Sequence, residues 1–288
     1  MPNPILRQRL EAGEYFYAPG VFDMMSTVIA AKHGFEALYI SGYWMSASLH
    51  GLPDVGVATY SEFIQGIERV AGLTDAALIA DADTGFGGLL NLKRTVEGYE
   101  KAGVTAIQIE DQEFPKKCGH TPHKQLIPAE DMVTKVKVAV DSRKSDDFLI
   151  IARTDARASE GLEAALERAA SYGEAGADLL FVEAPQSEDD MRAVCAMGSK
   201  PQLANMALGG MTPLLSNDQL AEIGYAGAIF PAAAPLVAIE AVNRLYGHMK
   251  AKGEGKSADI PAYDFYEFCR DIGFEEVWDF EKRWGRYE

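Results

Sequence analysis

Eight short stretches of apolar residues recur along the chain, and each gives way abruptly to polar or small residues. They cover residues 15–20, 37–42, 77–83, 106–112, 148–155, 179–185, 202–207 and 228–234. Unbroken apolar stretches of this length are typical of parallel strands that are buried on both faces. The segments between them have helical periodicity, most clearly over 160–175, where Leu162, Leu166 and Ala169 share one face. The pattern therefore predicts strands that alternate with helices.

A glycine marks the end of several predicted helices, just before the next strand begins. Gly34, Gly103, Gly176 and Gly224 occupy this position, where a helix commonly ends in a left-handed backbone conformation. Eight such units in 288 residues average about 36 residues each, close to the repeat of a (β/α)8 TIM barrel. The alternative is a doubly wound open sheet, which is disfavoured because no Gly-x-Gly-x-x-Gly turn opens the first unit. The expected fold class is α/β, a (β/α)8 barrel.

The C-terminal part of the sequence departs from this pattern. Residues 250–258 are charged and contain glycine, as a linker does. An aromatic-rich segment that we expect to be helical follows, with Tyr263, Phe265, Tyr266, Phe268, Phe274, Trp278, Phe280 and Trp284. We therefore divide the chain into a catalytic barrel, 1–250, and a linker with a C-terminal helical segment, 251–288. The aromatic side chains could pack on their own barrel or on another subunit.

Composition narrows the classes of partner and the location. The chain has 43 acidic and 27 basic residues and a formal net charge of -16, which argues against a nucleic-acid partner because phosphate binding needs clustered basic residues. Three irregularly spaced cysteines give no disulfide framework and fit a reducing cytoplasm. No signal-peptide core is visible at the N-terminus, and no apolar stretch approaches about 18 residues. We expect a cytoplasmic protein without a membrane partner.

Polar residues follow the predicted strands and supply the candidate chemistry, because a barrel of this kind forms its site at the carboxyl ends of the strands. These residues are Ser41, Gly42, Asp81, Asp83, Glu110, Asp111, Arg153, Asp155, Glu183 and Asn205. Several carboxylates at one mouth are costly unless a cation compensates them. Oxygen ligands favour a hard ion, Mg2+ or Mn2+. A single acid such as Asp83 could instead cap a helix; the whole set at strand ends favours a metal site.

The loop after the fourth strand carries a cysteine in a basic setting. Cys118 follows Lys116 and Lys117 and lies two residues before His120. Neighbouring positive charge lowers the pKa of a thiol and makes it useful as an acid, a base or a nucleophile. The same cysteine taken alone could be a small buried apolar residue, as we interpret Cys195 and Cys269. No predicted strand ends in a lysine, so a Schiff-base aldolase is not expected.

These motifs resemble those of the isocitrate lyase/phosphoenolpyruvate mutase superfamily, in particular its 2-alkylmalate and methylisocitrate lyase branch. The resemblance spans about residues 15–245 with the motifs in order. They are Lys116-Lys117-Cys118-Gly119-His120, Ser41-Gly42, Gly51-Leu52-Pro53-Asp54, Asp81-Ala82-Asp83-Thr84-Gly85, Ile109-Glu110-Asp111-Gln112, Ala152-Arg153-Thr154-Asp155, Val182-Glu183-Ala184 and Asn205. Because the motifs are long and specific, the resemblance carries more weight than any one residue.

The resemblance implies a complete site and an assembly. It implies Mg2+, with Mn2+ as a possible substitute, bound directly by Asp81 and through waters by Asp54, Asp83 and Glu110. It implies that the substrate contacts Tyr39, Ser41, Gly42, Gly119, His120, Arg153, Glu183 and Asn205. Cys118 would be the acid that protonates the enolate of the departing carboxylic acid, and Arg153 would be the second catalytic residue. Dimers or tetramers are implied, with the last helix exchanged between subunits.

The implied activity is cleavage of a carbon–carbon bond in a 2-hydroxy dicarboxylate, which gives an oxo acid such as pyruvate and a smaller carboxylate. Thr121, the segment 235–237 and Tyr263 replace arginines of methylisocitrate lyases, and Leu208 replaces a frequent glutamate. Tyr43 and Trp44 are bulkier than the usual residues. One alternative is oxaloacetate decarboxylation or phosphonate chemistry, the reactions of superfamily members that lack the cysteine. The others are methylisocitrate cleavage and a barrel without catalytic activity.

Overall fold

The computed structural model describes residues 2–119, 121, 123–257 and 259–285. Its strands are β1 (Phe16–Val21), β2 (Ala37–Ile40), β3 (Ala77–Asp81), β4 (Ala106–Glu110), β5 (Leu149–Thr154), β6 (Leu179–Val182), β7 (Leu203–Asn205) and β8 (Gly227–Phe230). Its helices are α1 (Ile5–Ala12), α2 (Met24–Lys32), α3 (Gly42–His50), α4 (Tyr60–Ala71), α5 (Leu89–Lys101), α6 (Ala129–Ser142), α7 (Ala156–Ser159), α8 (Leu162–Glu174), α9 (Glu188–Ala196), α10 (Asn217–Ile223), α11 (Ala233–Lys252), α12 (Phe265–Asp271) and α13 (Phe274–Arg283). Over these ranges, no helix combines the length and apolarity needed to cross a membrane.

The strands form a parallel barrel. Each strand from β1 to β6 pairs with its neighbour in sequence, and β1 also pairs with β8, which pairs with β7. A parallel bridge between Leu180 of β6 and Gln202, just before β7, closes the circle, with the Leu180 amide 2.9 Å from the Pro201 carbonyl oxygen. The predicted (β/α)8 barrel is confirmed, and all eight carboxyl ends meet at one mouth.

The buried apolar residues lie in two layers. One fills the barrel interior, where Tyr39, Ile79, Ile151 and Phe181 pack together, and Leu6 of α1 joins it. The other lies between the strands and the surrounding helices. Strand residues therefore face apolar neighbours on both sides, which explains the unbroken apolar stretches in the sequence.

The helix ends follow the predicted glycine pattern. Gly103 and Gly176 adopt φ angles of 93° and 109°, and Gly34 and Gly224 also have positive φ. These left-handed residues end the helices before β4, β6, β2 and β8, since glycine adopts that conformation without a steric penalty. Each short turn delivers the next strand to the barrel.

The C-terminal aromatic segment forms α12 and α13, which are separated at Gly273. Helix α12 is fixed to α2 by Lys32, whose ammonium lies 2.5 Å from Glu267 and 3.1 Å from Asp271. Most of the large aromatic side chains stay exposed nonetheless, Phe265 by 71% and Trp284 by 67%. Packing on its own barrel thus covers only part of this segment.

Candidate active site

A pocket of about 280 Å³ opens at the carboxyl ends of the strands. Nine of the predicted site residues line it: Tyr39, Ser41, Asp54, Asp81, Cys118, Gly119, Arg153, Glu183 and Asn205. Gly42, Asp83 and Glu110 are buried. Gly42 and Asp83 lie against Asp81, and Glu110 lies against Arg153. His120 lies outside the described residues. The barrel therefore brings together residues that are up to 166 positions apart, from Tyr39 to Asn205.

Four buried carboxylates form an acidic cluster on one side of the pocket. Asp81 ends β3, and Asp83 follows it in a left-handed conformation with φ of 48°, so that the Asp83 amide donates to Asp81 Oδ1 at 3.0 Å. Glu110 ends β4, and Asp54 comes from the segment after α3. All four are at most 7% exposed. Three members of the acidic cluster thus come from the carboxyl ends of the adjacent strands β3 and β4, and Asp54 joins them from a connecting segment.

Lys116 supplies a cation to the acidic cluster. Its ammonium, 3% exposed, lies 2.5 Å from Asp54 Oδ1 and 3.0 Å from Asp83 Oδ1. Burial alone lowers the pKa of Lys116, but Asp83, Glu110, Asp54 and Asp81 together raise that pKa well above its usual value. From the sequence, we expected this lysine to lie beside the Cys118 thiol. Its ammonium instead pairs with the acidic cluster, and that of Lys117 donates to the His123 carbonyl oxygen at 3.1 Å.

The positive charges of Lys116 and Arg153 do not fully offset the four carboxylates of the acidic cluster. Burial raises the pKa of Glu110 well above its usual value although Arg153 and Lys116 oppose the change. Burial likewise raises the pKa of Asp83 to about 7 against the opposing effect of Lys116. In the described part of the chain, Glu110 Oε1 is buried without a hydrogen-bond donor. The acidic cluster therefore has the charge and the spare oxygen to accept a further cation.

Arg153, at the end of β5, lies among carboxylates on another side of the pocket. It binds Asp155 through Nε at 2.9 Å and Nη2 at 3.1 Å, and it lies 3.2 Å from Glu183 and 3.5 Å from Glu110. Its guanidinium carbon is 5.2 Å from the centre of the Phe181 ring. Fixed contacts on several sides hold this guanidinium at the pocket wall.

The loop between β4 and α6, here called the cysteine loop, carries Cys118 and Gly119 into the pocket. Cys118 is half-buried, and its carbonyl oxygen accepts from the Thr121 amide at 2.9 Å and hydroxyl at 2.7 Å. A methyl group built at Gly119 would lie 2.2 Å from Arg153 Nη2. Only glycine fits this contact, so the thiol-bearing segment lies directly against the arginine.

Asp155 was predicted at the end of the fifth strand without a role in the site, and Lys124 was not predicted as a site residue. Asp155 is fully buried and accepts from Lys124 Nζ at 2.9 Å; burial raises the pKa of Asp155, but Arg153 and Lys124 outweigh it and hold that pKa at about 2. Asp155 lies two residues after Arg153 at a strand end, and this alternation places side chains on one face. That spacing could have identified Asp155 as a contact of Arg153. The partner Lys124 comes from a loop without periodicity and had no such signal.

Ser41 and Gly42 lie where β2 gives way to α3. Helix α3 begins at Gly42, so the unpaired amides of its first turn lie beside the pocket and favour an anionic ligand. A methyl group built at Gly42 would lie 2.8 Å from Asp81 Oδ2. The Tyr39 hydroxyl at the pocket wall donates to Gln108 Oε1 at 3.3 Å, and burial raises the pKa of Tyr39 well above its usual value.

The outer part of the pocket is largely apolar. Tyr43 and Trp44 pack edge to face with ring centres 4.8 Å apart. Leu208, 47% exposed, and Ala232 face the same space. No lysine or arginine other than Lys116 and Arg153 is among the described residues that line the pocket.

This fold and site can be placed in a family. The chain matches the phosphoenolpyruvate phosphomutase family over residues 6–250. It is 42% identical to 2,3-dimethylmalate lyase of Eubacterium barkeri over 96% of each chain, and 43% identical to 2-methylisocitrate lyase of Aeropyrum pernix over 98% of this chain and 90% of the relative. The protein belongs to the phosphoenolpyruvate mutase/isocitrate lyase superfamily.

Solved structures agree over nearly the whole chain. A crystal structure of 2,3-dimethylmalate lyase superposes with a TM-score of 0.91 at 34% identity and covers 99% of this chain and 96% of that one. A phosphonopyruvate hydrolase in complex with oxalate and Mg2+ superposes with a TM-score of 0.87 at 27% identity, with coverage of 98% and 99%. The predicted family and barrel are both confirmed.

Proposed function

We propose that this protein is a Mg2+-dependent lyase that cleaves a 2-alkylmalate into a 2-oxo acid, such as pyruvate, and a smaller carboxylate. One observation carries the proposal: Cys118, Arg153 and the acidic cluster border the same pocket. Cys118 favours this activity over decarboxylation of oxaloacetate and over phosphonate chemistry, because the superfamily members that perform those two reactions lack this cysteine. The relationship to 2,3-dimethylmalate lyase supports the same substrate class.

The acidic cluster fits a hard divalent ion. Its donors are carboxylate oxygens, which Mg2+ and Mn2+ prefer, and Glu110 Oε1 lacks a donor among the described residues. In the described ranges, no three acidic, histidine or cysteine side chains are grouped closely enough to hold an ion by themselves. A site with Asp81 as its direct ligand and Asp54, Asp83 and Glu110 acting through waters needs no such group. When bound, the ion would stabilise negative charge on the substrate oxygens.

The side chains would divide the remaining work. The 2-hydroxyl group of the malate would first release its proton to solvent, which a bound cation would favour. As the bond between carbons 2 and 3 breaks, the resulting alkoxide becomes the carbonyl of the oxo acid, and the electron pair moves to carbon 3, beside the second carboxylate. Arg153 would bind carboxylate charge at the pocket wall, and Cys118 would give carbon 3 its proton. Ser41, Gly42, Gly119 and Asn205 would hold the oxo-acid part, with Tyr39, His120 and Glu183 beside it.

The substrate would be a dicarboxylate with a short alkyl group. A third carboxylate needs a cation, and burial of an unpaired charge costs several kcal/mol. The outer pocket offers Tyr43, Trp44 and Leu208 instead. These residues suit a methyl or ethyl group and disfavour methylisocitrate and isocitrate.

The proposal includes assembly and location. We propose a dimer or tetramer in which the segment 251–288 of one subunit packs on its neighbour, because aromatic side chains such as Phe265 and Trp284 are exposed on the single chain. Exchange would also bury the exposed Val237 and Tyr246 of α11. We further propose the cytoplasm as its location, since the cysteine pattern fits a reducing compartment.

A panel of malate derivatives tests the activity. Purified protein with Mg2+ is incubated with malate, 2-methylmalate, 2,3-dimethylmalate, methylisocitrate and oxaloacetate, and the release of oxo acid is measured. We expect the highest kcat/KM with an alkylmalate, loss of activity on chelation, and recovery with Mg2+ or Mn2+. Activity on oxaloacetate alone, or full activity after exhaustive chelation, would contradict the proposal.

A further inference from the structure

Asp155 connects the cysteine loop to Arg153, although the proposed chemistry gives it no role. Its carboxylate, fully buried at the end of β5, binds Arg153 Nε at 2.9 Å and Nη2 at 3.1 Å. The same carboxylate accepts from Lys124 Nζ at 2.9 Å. One side chain therefore contacts both the arginine of the pocket and the loop that carries Cys118.

Lys124 carries this connection to the residue beside the thiol. Its side chain is 3% exposed, and its ammonium also donates to the carbonyl oxygen of Gly119, the residue after Cys118. Lys117 provides a contrast within the same loop, because its ammonium donates to the His123 carbonyl oxygen in an exposed hydrogen bond. The two lysines have the same charge and different partners.

The loop backbone and the arginine also touch each other directly. A methyl group at Gly119 would lie 2.2 Å from Arg153 Nη2 and 3.0 Å from Asp155 Oδ1. A shift of Gly119 toward the pocket would therefore displace the guanidinium. Conversely, a guanidinium released by Asp155 would no longer support the loop.

Asp155 is also fixed by contacts that involve neither Lys124 nor Gly119. Its amide donates to Asp111 Oδ1 at 3.0 Å. Asp111 is fully buried and also accepts from the Thr154 hydroxyl at 2.7 Å and the Tyr172 hydroxyl at 2.8 Å. These bonds attach Asp155 to β4, β5 and α8, so it can serve as a fixed reference for mobile neighbours.

We infer that Asp155 and Lys124 are positioning residues that align the proton donor with the arginine. Asp155 orients Arg153, and through Lys124 it sets the position of Gly119 and therefore of Cys118. The kinetic consequence rests on the proposed function, whereas the link between Asp155 and the loop can be measured without a substrate. A misplacement of about 1 Å at the reacting atoms can cost about 100-fold in rate.

The first test compares Lys124→Met with the matched control Lys117→Met. The rate of Cys118 alkylation by iodoacetamide is followed by mass spectrometry of the Cys118 peptide, at pH values high enough that the rate no longer rises. This limiting rate reports the position of the thiol and is independent of its pKa. We expect Lys124→Met to change the rate by about tenfold and to lower kcat/KM by about 10- to 100-fold, mainly through kcat. Lys117→Met should stay within about twofold.

The second test uses Asp155→Asn and the double variant. Both single changes remove the same link, so Lys124→Met should have no further effect on the alkylation rate in the Asp155→Asn background. Effects that multiply in the double variant would overturn the inference. The inference would also be overturned if Lys124→Met lowered the melting temperature but left the alkylation rate and kcat unchanged. Such a result would show that the ion pair between Lys124 and Asp155 is purely structural.

The two proposals fail in different ways. If no malate is cleaved but Lys124→Met changes the alkylation rate and Lys117→Met does not, the proposed function is wrong and the positioning link stands. If alkylmalate is cleaved and both lysine variants behave alike, the link is wrong and the activity stands. Should Asp155→Asn not fold, as judged by circular dichroism, the pair of lysine variants decides alone.

Discussion

Gly42 provides a residue-scale test of the acidic cluster, because its backbone lies against Asp81. A methyl group at Gly42 would lie 2.8 Å from Asp81 Oδ2 and 3.2 Å from the Phe63 ring, so Gly42→Ala should displace the carboxylate that we propose binds the ion. We expect Mg2+ affinity to fall by about tenfold or more. Isothermal titration with Mg2+ measures this directly.

Gly247→Ala is the control for that substitution. Gly247 lies in an exposed part of α11, where a methyl group would have no atom of the described residues within 4 Å apart from the nearby backbone of its own helix. Its change to alanine should leave Mg2+ affinity unaltered. Unchanged affinity in Gly42→Ala would argue against Asp81 as the ligand.

Cys118→Ser tests the proton donor. A serine hydroxyl keeps the size and is a far weaker acid, so kcat should fall by about 10²- to 10⁴-fold, while the variant still binds Mg2+ and oxo acid. Steady-state kinetics and titration with pyruvate check the two halves of this expectation. A turnover within a few fold of the unsubstituted protein would leave Cys118 without a catalytic role.

Site residues at the ends of strands could be predicted from the sequence, whereas the side-chain contacts of loop residues could not. Asp81, Arg153 and Asn205 were found because strand ends converge at the mouth of a barrel. The side-chain contacts of Lys116 and Lys124 were not predicted. Both residues come from the cysteine loop, which has no periodicity that would indicate the direction of a long side chain. Only the fold brings these ammonium groups to Asp54 and Asp155.

At the scale of elements, all eight strands were predicted within about two residues at their starts, because burial on both faces leaves an unbroken apolar pattern. The carboxyl ends of all strands except β1 were placed too late, by one to four residues. For example, residues 41–42 were assigned to β2, and α3 begins at Gly42. The predicted ranges included the polar or small residues that follow each apolar stretch, and in the structure these residues form the turns. The interruption at Gly273 between α12 and α13 was also not predicted, although a glycine marks it.

Two elements, the start of α3 and the segment after β7, form the apolar wall that should select the substrate. Leu208→Arg would place a cation there, and we expect it to raise kcat/KM for methylisocitrate relative to an alkylmalate by about tenfold, the effect of about 1.4 kcal/mol of charge pairing. Competition assays with both substrates at one Mg2+ concentration measure the ratio.

Leu214→Arg is the matched control for that change, since Leu214 is exposed and is not among the residues that line the pocket. In this variant, the ratio of kcat/KM for methylisocitrate to kcat/KM for an alkylmalate should equal that of the unsubstituted protein. If that unsubstituted protein already cleaves methylisocitrate as efficiently as the best alkylmalate, the interpretation of the apolar wall is wrong, and the proposed roles of Asp81 and Cys118 are unaffected.

For the whole molecule, the C-terminal segment should control assembly. Deletion of the chain from Ala262 onward removes α12 and α13 together with their exposed aromatic side chains. We expect smaller species in analytical ultracentrifugation and a lower melting temperature, by about 2–4 °C for each kcal/mol lost. The melting temperature should also become less dependent on protein concentration, because association stabilises by mass action.

Lys32→Ala separates assembly from attachment of the segment. It removes the contacts of α2 with Glu267 and Asp271 but keeps the aromatic side chains, so the oligomer should persist. A truncated chain with unchanged mass and thermal stability would exclude a role of this segment in exchange.

We propose above all that this barrel breaks a carbon–carbon bond and that Cys118 protonates carbon 3 of the departing fragment. The most direct measurement is cleavage of 2,3-dimethylmalate in D2O with Mg2+, followed by mass spectrometry of both products and by NMR of the propionate as its ester with a chiral alcohol. We predict pyruvate without label and propionate with one deuterium at carbon 2, added to a single face because the donor is fixed beside the pocket. Failure to cleave, or propionate labelled equally on both faces, would contradict this account.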